Sequence, residues 1–221
     1  VNHFSYFHNP DSVGWLLAAL MAGGSIAAVL VSFSLMVSMA IMVYSFRISL
    51  DAWMQRILPA EALVYTPYGA TESLPVTCLE GREIVAETWP LSRTGHGTCV
   101  GRPLPGMTVR VIEPVDGPIE TWDRARELAV GEIGEIVVCG PVVTRAYEGN
   151  EYEDRLAKIK DKNGFWHRMG DVGYLDEQGR LWFCGRKSQR LQTRQGLLGT
   201  ENVEPVFNRH PALKRTALVG L

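Results

Sequence analysis

At 221 residues the chain is long enough to bury a core, as one large domain or two modest ones. Its 22 basic and 24 acidic side chains leave a net charge of −2, which excludes a polybasic nucleic-acid arm and an acidic tail as its main theme. With 46% hydrophobic and 21% charged residues, the composition is that of a folded protein rather than a disordered one.

The charge is unevenly spread. From Ser12 to Phe46 no side chain is charged, and Asp11 is the only charge before Arg47. The stretch from Gly14 to Tyr44 exceeds the ~20 apolar residues needed to span a bilayer. No basic region precedes it, so a secretory signal fits poorly. As a span followed by Arg47 and Arg56, it would leave the rest of the chain in the cytoplasm. Gly23-Gly24-Ser25 could divide it in two. Two other readings stand beside a span: a buried element of a large core, and misread sequence, given the abrupt change of composition near Arg47. The expected localisation is cytoplasmic, with membrane association through residues 13–46 left open.

Beyond Arg47 the pattern is that of short elements. Asp51 to Leu58 spaces apolar residues as a helix does, ending before Pro59. Leu63-Val64-Tyr65 predicts a short strand and Pro67-Tyr68-Gly69 a turn. Thr108–Ile112 alternates as a half-buried strand, and Glu135–Cys139 is a stronger strand stopped by Gly140-Pro141. Glu151 to Lys160 reads as a charged surface helix. Gly173–Leu175 and Leu181–Cys184, joined by Asp176-Glu177-Gln178-Gly179, predict a hairpin. Val203 to Asn208 reads as a helix and Ala217–Leu221 as a final strand. The expected fold is α+β: a β-rich, distorted barrel region ahead of a small α/β piece. A chain that starts at Val1 and stops within an apparent strand is expected to be a piece of a longer protein.

The four cysteines contain no Cys-x-x-Cys, and the five histidines show no metal spacing, so no zinc site is expected. Chemistry is concentrated elsewhere. In Tyr68-Gly69-Ala70-Thr71-Glu72 a strand running into a glycine turn gathers a ring, a hydroxyl and a carboxylate at one corner. A ring can stack on a base, a hydroxyl can bond a phosphate oxygen, and a carboxylate can hold Mg²⁺ that itself bridges phosphates. Taken alone, the same residues describe a hairpin turn with an exposed Glu. The run Gly131 to Pro141, closing with Arg145-Ala146-Tyr147, reads mostly as scaffold. In Trp166-His167-Arg168-Met169-Gly170-Asp171, an Asp after Gly at a strand start can accept hydrogen bonds from a sugar diol. Gly185-Arg186-Lys187-Ser188, across the hairpin, offers a guanidinium to ribose or phosphate.

In this order and spacing, the four motifs resemble the adenylate-forming superfamily of acyl-CoA synthetases, nonribosomal-peptide adenylation domains and luciferases. Gly101-Arg102-Pro103-Leu104-Pro105-Gly106 resembles the usual link between the first two. The resemblance starts near Ile48 and implies three parts. Residues 1–47 are the apolar segment, 48–186 the C-terminal part of a large adenylation domain, and 187–221 the start of a small C-terminal domain. It implies ATP and Mg²⁺ as cofactors. Tyr68 would lie against the adenine, Thr71 at the α-phosphate, Glu72 at Mg²⁺, Asp171 on the ribose hydroxyls and Arg186 on ribose or phosphate. Gly69 would belong to the same nucleotide site, and Thr71 and Glu72 would serve catalysis.

The departures matter too. The Ser/Thr/Gly-rich phosphate loop is missing from residues 1–67, and the family's catalytic lysine would lie beyond Leu221. This piece alone is therefore expected to be inactive. Lys187-Ser188-Gln189-Arg190 lacks the hinge Asp of most members and resembles the β-lactone synthetases of bacterial long-chain olefin synthesis. That branch implies a 2-alkyl-3-hydroxy fatty acid, activated as its adenylate and closed to a β-lactone, with AMP and pyrophosphate released. Other enzymes of an olefin pathway would be the implied partners. The alternatives are a fatty acyl-CoA synthetase fragment and a catalytically dead, membrane-tethered nucleotide binder.

Overall fold

A computed structural model describes residues 62–162, 164–194 and 196–220, with isolated positions at 37, 38, 42, 45 and 49. The apolar segment, apart from some of those isolated positions, and the helix expected before Pro59 lie outside the described residues. Among the described residues no helix is long and apolar enough to cross a membrane. The chain divides into two compact units, Val1–Ala62 and Leu63–Leu221.

The second unit is framed by an eight-stranded sheet built from antiparallel pairs. In chain order the strands are β1 (Tyr65–Ala70), β2 (Ser73–Glu80), β3 (Thr98–Pro103), β4 (Thr108–Ile112), β5 (Gly134–Cys139), β6 (Lys158–Asp161), β7 (Gly164–Leu175) and β8 (Leu181–Arg186). The spatial order is β1-β2-β3-β8-β7-β5-β4, with β6 also on β7. This β-rich frame is the one expected, but its strand path is open rather than closed into a barrel. A helical stretch, α1, runs through Gly81–Glu83, Ile84–Thr88 and Trp89–Ser92 between β2 and β3. Helix α2 (Glu151–Ala157) precedes β6; the hairpin β9 (Leu191–Thr193) and β10 (Gly196–Leu198) and helix α3 (Thr200–Phe207) follow β8.

Strand β5 shows why the sequence folds this way. Ile136 and Val138 enter one buried cluster with Val76, Met107, Val109, Met169 and Leu181, while Val137 enters another with Ile112, Ile119, Ile159 and Trp166. Both faces are covered, so the strand reads as a continuous apolar run instead of an alternating one. A third cluster, Leu79, Cys99 and Trp182, sits where β2, β3 and β8 meet.

Several expectations are corrected. Pro67 and Tyr68 lie inside β1, and the turn comes at Thr71-Glu72. Proline is tolerated there because, among the described residues, β1 lies at the edge of the sheet and pairs with β2 alone. The helix from Glu151 ends at Ala157, and Lys158 to Asp161 instead pair with β7 as β6. Asp171 lies in the middle of a 12-residue strand rather than at its start. Among the described residues, 217–220 have no strand pairing, so the expected final strand does not form there.

Candidate active site

Asp171 is where the distant motifs meet. Tyr68, on β1, donates its hydroxyl to Asp171 Oδ2 at 2.6 Å across 103 residues of chain. Arg186 donates from Nη1 to Oδ1 at 2.8 Å. Asp171 and Arg186 are cross-strand partners in the β7–β8 ladder, so the ion pair is fixed by register. Gly170, at φ +67°, sets the left-handed turn of backbone just before the Asp. Burial raises the Asp171 carboxyl above its ordinary range, opposed by the hydrogen bonds and charge of Tyr68 and Arg186. Burial and then the neighbouring carboxylate also raise the Tyr68 phenol, which stays a donor. The Tyr68 ring is tilted against Phe183 at 6.2 Å between centroids.

Glu72 occupies a second corner, at the β1–β2 turn. Tyr147 donates its hydroxyl to Glu72 Oε1 at 3.0 Å, and the Thr144 amide donates to the Glu72 carbonyl at 2.8 Å. The loop after β5 is thereby tied to the turn. Burial would raise the Glu72 carboxyl, but its own backbone amide, the Tyr147 hydroxyl and the nearby Lys158 hold it below the usual range. Glu72 is thus an ionised carboxylate. Lys158 is half-buried, donates to the Thr144 carbonyl at 2.5 Å, and lies 5.8 Å over the Tyr147 ring. Burial lowers its ammonium, against the attraction of Asp154 and Glu72. Thr71 is exposed on the turn. Gly69 is required there because a Cβ would meet the Ser73 carbonyl and Leu74.

A third group was not anticipated. Glu135 on β5 is fully buried and takes a bidentate pair from Arg168 on β7, Nε to Oε1 at 3.0 Å and Nη2 to Oε2 at 2.7 Å. Arg168 also donates to the carbonyls of Gly117, Leu156 and Val115. The guanidinium has five N–H donors, and every one has an acceptor. Lys187 completes the group, donating from Nζ to Glu135 Oε1 at 3.0 Å and to the Val115 carbonyl at 3.1 Å. The available signal was two opposite charges, Glu135 and Arg168, set inside otherwise apolar strands. A charge in such a strand needs a buried partner.

Comparison with known proteins decides the family. The model of the AMP-binding enzyme family matches residues 33–148, which reaches back into the apolar segment ahead of Ile48. The chain belongs to the AMP-binding enzyme family. It is 50% identical over 175 residues to an olefin beta-lactone synthetase of Stenotrophomonas maltophilia, covering 77% of this chain and 32% of the relative. A Xanthomonas campestris protein of the same name is 49% identical, with 77% and 31% covered. The chain thus spans about a third of the length of these relatives. Among solved structures it is similar to the O-succinylbenzoate coenzyme A synthetase of Bacillus subtilis in complex with AMP. That match has a TM-score of 0.54 and 26% identity, covering 72% of this chain and 28% of the other. The ATP-bound MatB of Rhodopseudomonas palustris gives the same TM-score and identity, with 72% and 27% covered.

The donor set of this AMP-binding enzyme suits ATP. A carboxylate offers about four lone-pair positions, and Asp171 has one protein donor on each oxygen, leaving acceptors for a diol. Arg186 is 61% exposed and keeps donors to spare. Glu72 suits Mg²⁺ for a related reason. Among the described residues no group of three or more His, Cys, Asp or Glu could cage a metal. A lone carboxylate fits a hard cation that brings phosphate and water oxygens as its other ligands.

Proposed function

We propose that this chain is the nucleotide-holding part of an adenylate-forming ligase that converts a 2-alkyl-3-hydroxy fatty acid to a β-lactone. The observation that carries the reading is the meeting of the Tyr68 hydroxyl and the Arg186 guanidinium on the Asp171 carboxylate. The 50% identity to an olefin beta-lactone synthetase supports the choice of product. Residues 48–186 belong to the large adenylation domain and 187–221 open the small one. The working compartment is the cytoplasm, and other enzymes of an olefin pathway are the partners.

In the first step a carboxylate oxygen of the acid attacks the α-phosphorus of ATP. The bond to the bridging oxygen breaks and pyrophosphate leaves. Two anions must be brought together, so the charge around the phosphates has to be neutralised. Mg²⁺, when bound at Glu72, supplies part of that neutralisation. Asp171 takes the ribose hydroxyls, Tyr68 and Arg186 hold that carboxylate in place, and Thr71 faces the α-phosphate. In the second step the substrate's own β-hydroxyl oxygen attacks the acyl carbon, the acyl–phosphate bond breaks, AMP leaves, and the hydroxyl proton passes to water. Holding the nucleophile within the substrate makes this step unimolecular.

The test is equilibrium binding of ATP to the 221-residue chain and to Asp171→Ala. The reading expects measurable binding that the substitution weakens at least tenfold. Equal affinity in both proteins would take Asp171 out of the site.

A further inference from the structure

We infer that Lys187 is a positioning residue for the nucleotide clamp, fixing the end of β8 and with it the placement of Arg186 against Asp171. The inference rests on the reading of Asp171 and Arg186 as the nucleotide clamp.

The ladder between β7 and β8 ends at the Asp171–Arg186 rung. Beyond it the backbone leaves the ladder and enters a short 3-10 turn at Lys187–Gln189. Arg186 is long and 61% exposed, so the ladder alone leaves its guanidinium much conformational freedom to lose on binding. The next residue is held firmly. Lys187 is only 18% exposed, and its ammonium bridges Glu135 Oε1 and the Val115 carbonyl. Arg190 adds to the hold, donating to the Lys187 carbonyl at 2.8 Å and to Asp116 at 2.7 Å. Glu135 cannot shift to follow Lys187, because Arg168 grips both its oxygens from within β7.

The anchor and the clamp share their strands. Arg168 lies three residues before Asp171 on β7, and Lys187 directly follows Arg186. Each half of the clamp is therefore tied, through a few residues of chain, to the same buried carboxylate. Loss of the Lys187 ammonium would free the end of β8 without orphaning Glu135, which keeps both hydrogen bonds from Arg168. Lys187→Met should consequently fold.

The experiment measures ATP affinity of the unsubstituted 221-residue chain, Lys187→Met, Arg186→Ala and the double variant, with melting curves for each. Residues coupled through a shared stretch of backbone are non-additive, so Lys187→Met should weaken ATP binding by about tenfold when Arg186 is present and by no more than about twofold when it is Ala. Amide hydrogen exchange should also quicken at Gly185 to Lys187 in Lys187→Met while β5 stays protected, a readout that needs no nucleotide. Lys187→Gln provides the same comparisons if the Met variant melts early. A penalty of equal size in both Arg186 backgrounds, or unchanged exchange at Gly185 to Lys187, would overturn the inference while leaving the clamp intact. Failure of the unsubstituted chain to bind ATP would instead overturn the clamp reading and this inference with it.

Discussion

At Asp171 two adjacent strands from the middle of the sheet and a hairpin from one edge meet on one carboxylate. Its removal strands the Tyr68 hydroxyl and the Arg186 guanidinium along with any bound diol. Charge-assisted hydrogen bonds contribute about 1.5–3 kcal/mol each, so Asp171→Ala should weaken ATP binding at least tenfold by titration calorimetry. Glu72→Gln keeps an oxygen for the Tyr147 hydroxyl but is a much poorer ligand for a hard cation. In the full-length parent enzyme it should preserve the melting temperature and ATP affinity while flattening the Mg²⁺ dependence of pyrophosphate release. An unaltered Mg²⁺ response would make Glu72 a turn residue only. His167 gives a pH prediction. Burial, helped by Lys158 and opposed by Glu72 and the Ala157 carbonyl, takes it from its ordinary 6.5 down to about 4. Between those values the unfolded chain binds a proton that the folded chain does not. Stability should therefore be full above pH 6.5 and fall on acidification toward pH 4, by on the order of 3 kcal/mol. Urea midpoints across that window should show a shallower slope in His167→Phe. At this scale Tyr68, Glu72, Asp171 and Arg186 were singled out by the resemblance of their motifs to the adenylate-forming superfamily, since each motif alone also fits an ordinary turn or strand. The Tyr68–Asp171 bond was not legible. It joins residues 103 apart, and nothing local to either motif encodes that pairing.

Among the elements, strands with strong local signals were read with their ends nearly right. Thr108–Ile112 and Glu135–Cys139 alternate or run apolar between glycines and prolines, and the hairpin turn is written as Asp176-Glu177-Gln178-Gly179. Context defeated the reading where an element depends on its neighbours. Lys158 to Asp161 carries three charges, yet pairs as a strand because β7 offers it an edge. Gly170 and Gly101 separate two kinds of glycine requirement. At Gly170 nothing lies within 4 Å of an added Cβ, so Gly170→Ala meets only the cost of a left-handed backbone. That cost is roughly 1–2 kcal/mol, and Gly170→Asn should recover part of it. At Gly101 a Cβ would run into the Cys78 carbonyl across the β2–β3 pair, on top of φ +89°. Gly101→Ala should therefore lower the melting temperature more than Gly170→Ala does. The reverse order would mean that the β2–β3 pair can spread to admit a side chain.

For the molecule as a whole, the family was legible because four short motifs stand in family order and spacing along the chain. The buried Glu135–Arg168–Lys187 group was not, since its members come from β5, β7 and the turn after β8, and only the fold brings them together. The central claim is the product. The chain spans about a third of its relatives, so the most direct measurement places it in the Stenotrophomonas maltophilia relative in exchange for the matching segment. The hybrid is given ATP, Mg²⁺ and a 2-alkyl-3-hydroxy fatty acid, and its products are followed by mass spectrometry. The account predicts a β-lactone with one AMP and one pyrophosphate per turnover, no need for coenzyme A, and a stall at the adenylate when the acid lacks its hydroxyl. Rapid thioester formation from the non-hydroxylated acid on addition of coenzyme A, with no lactone from the hydroxylated one, would contradict it.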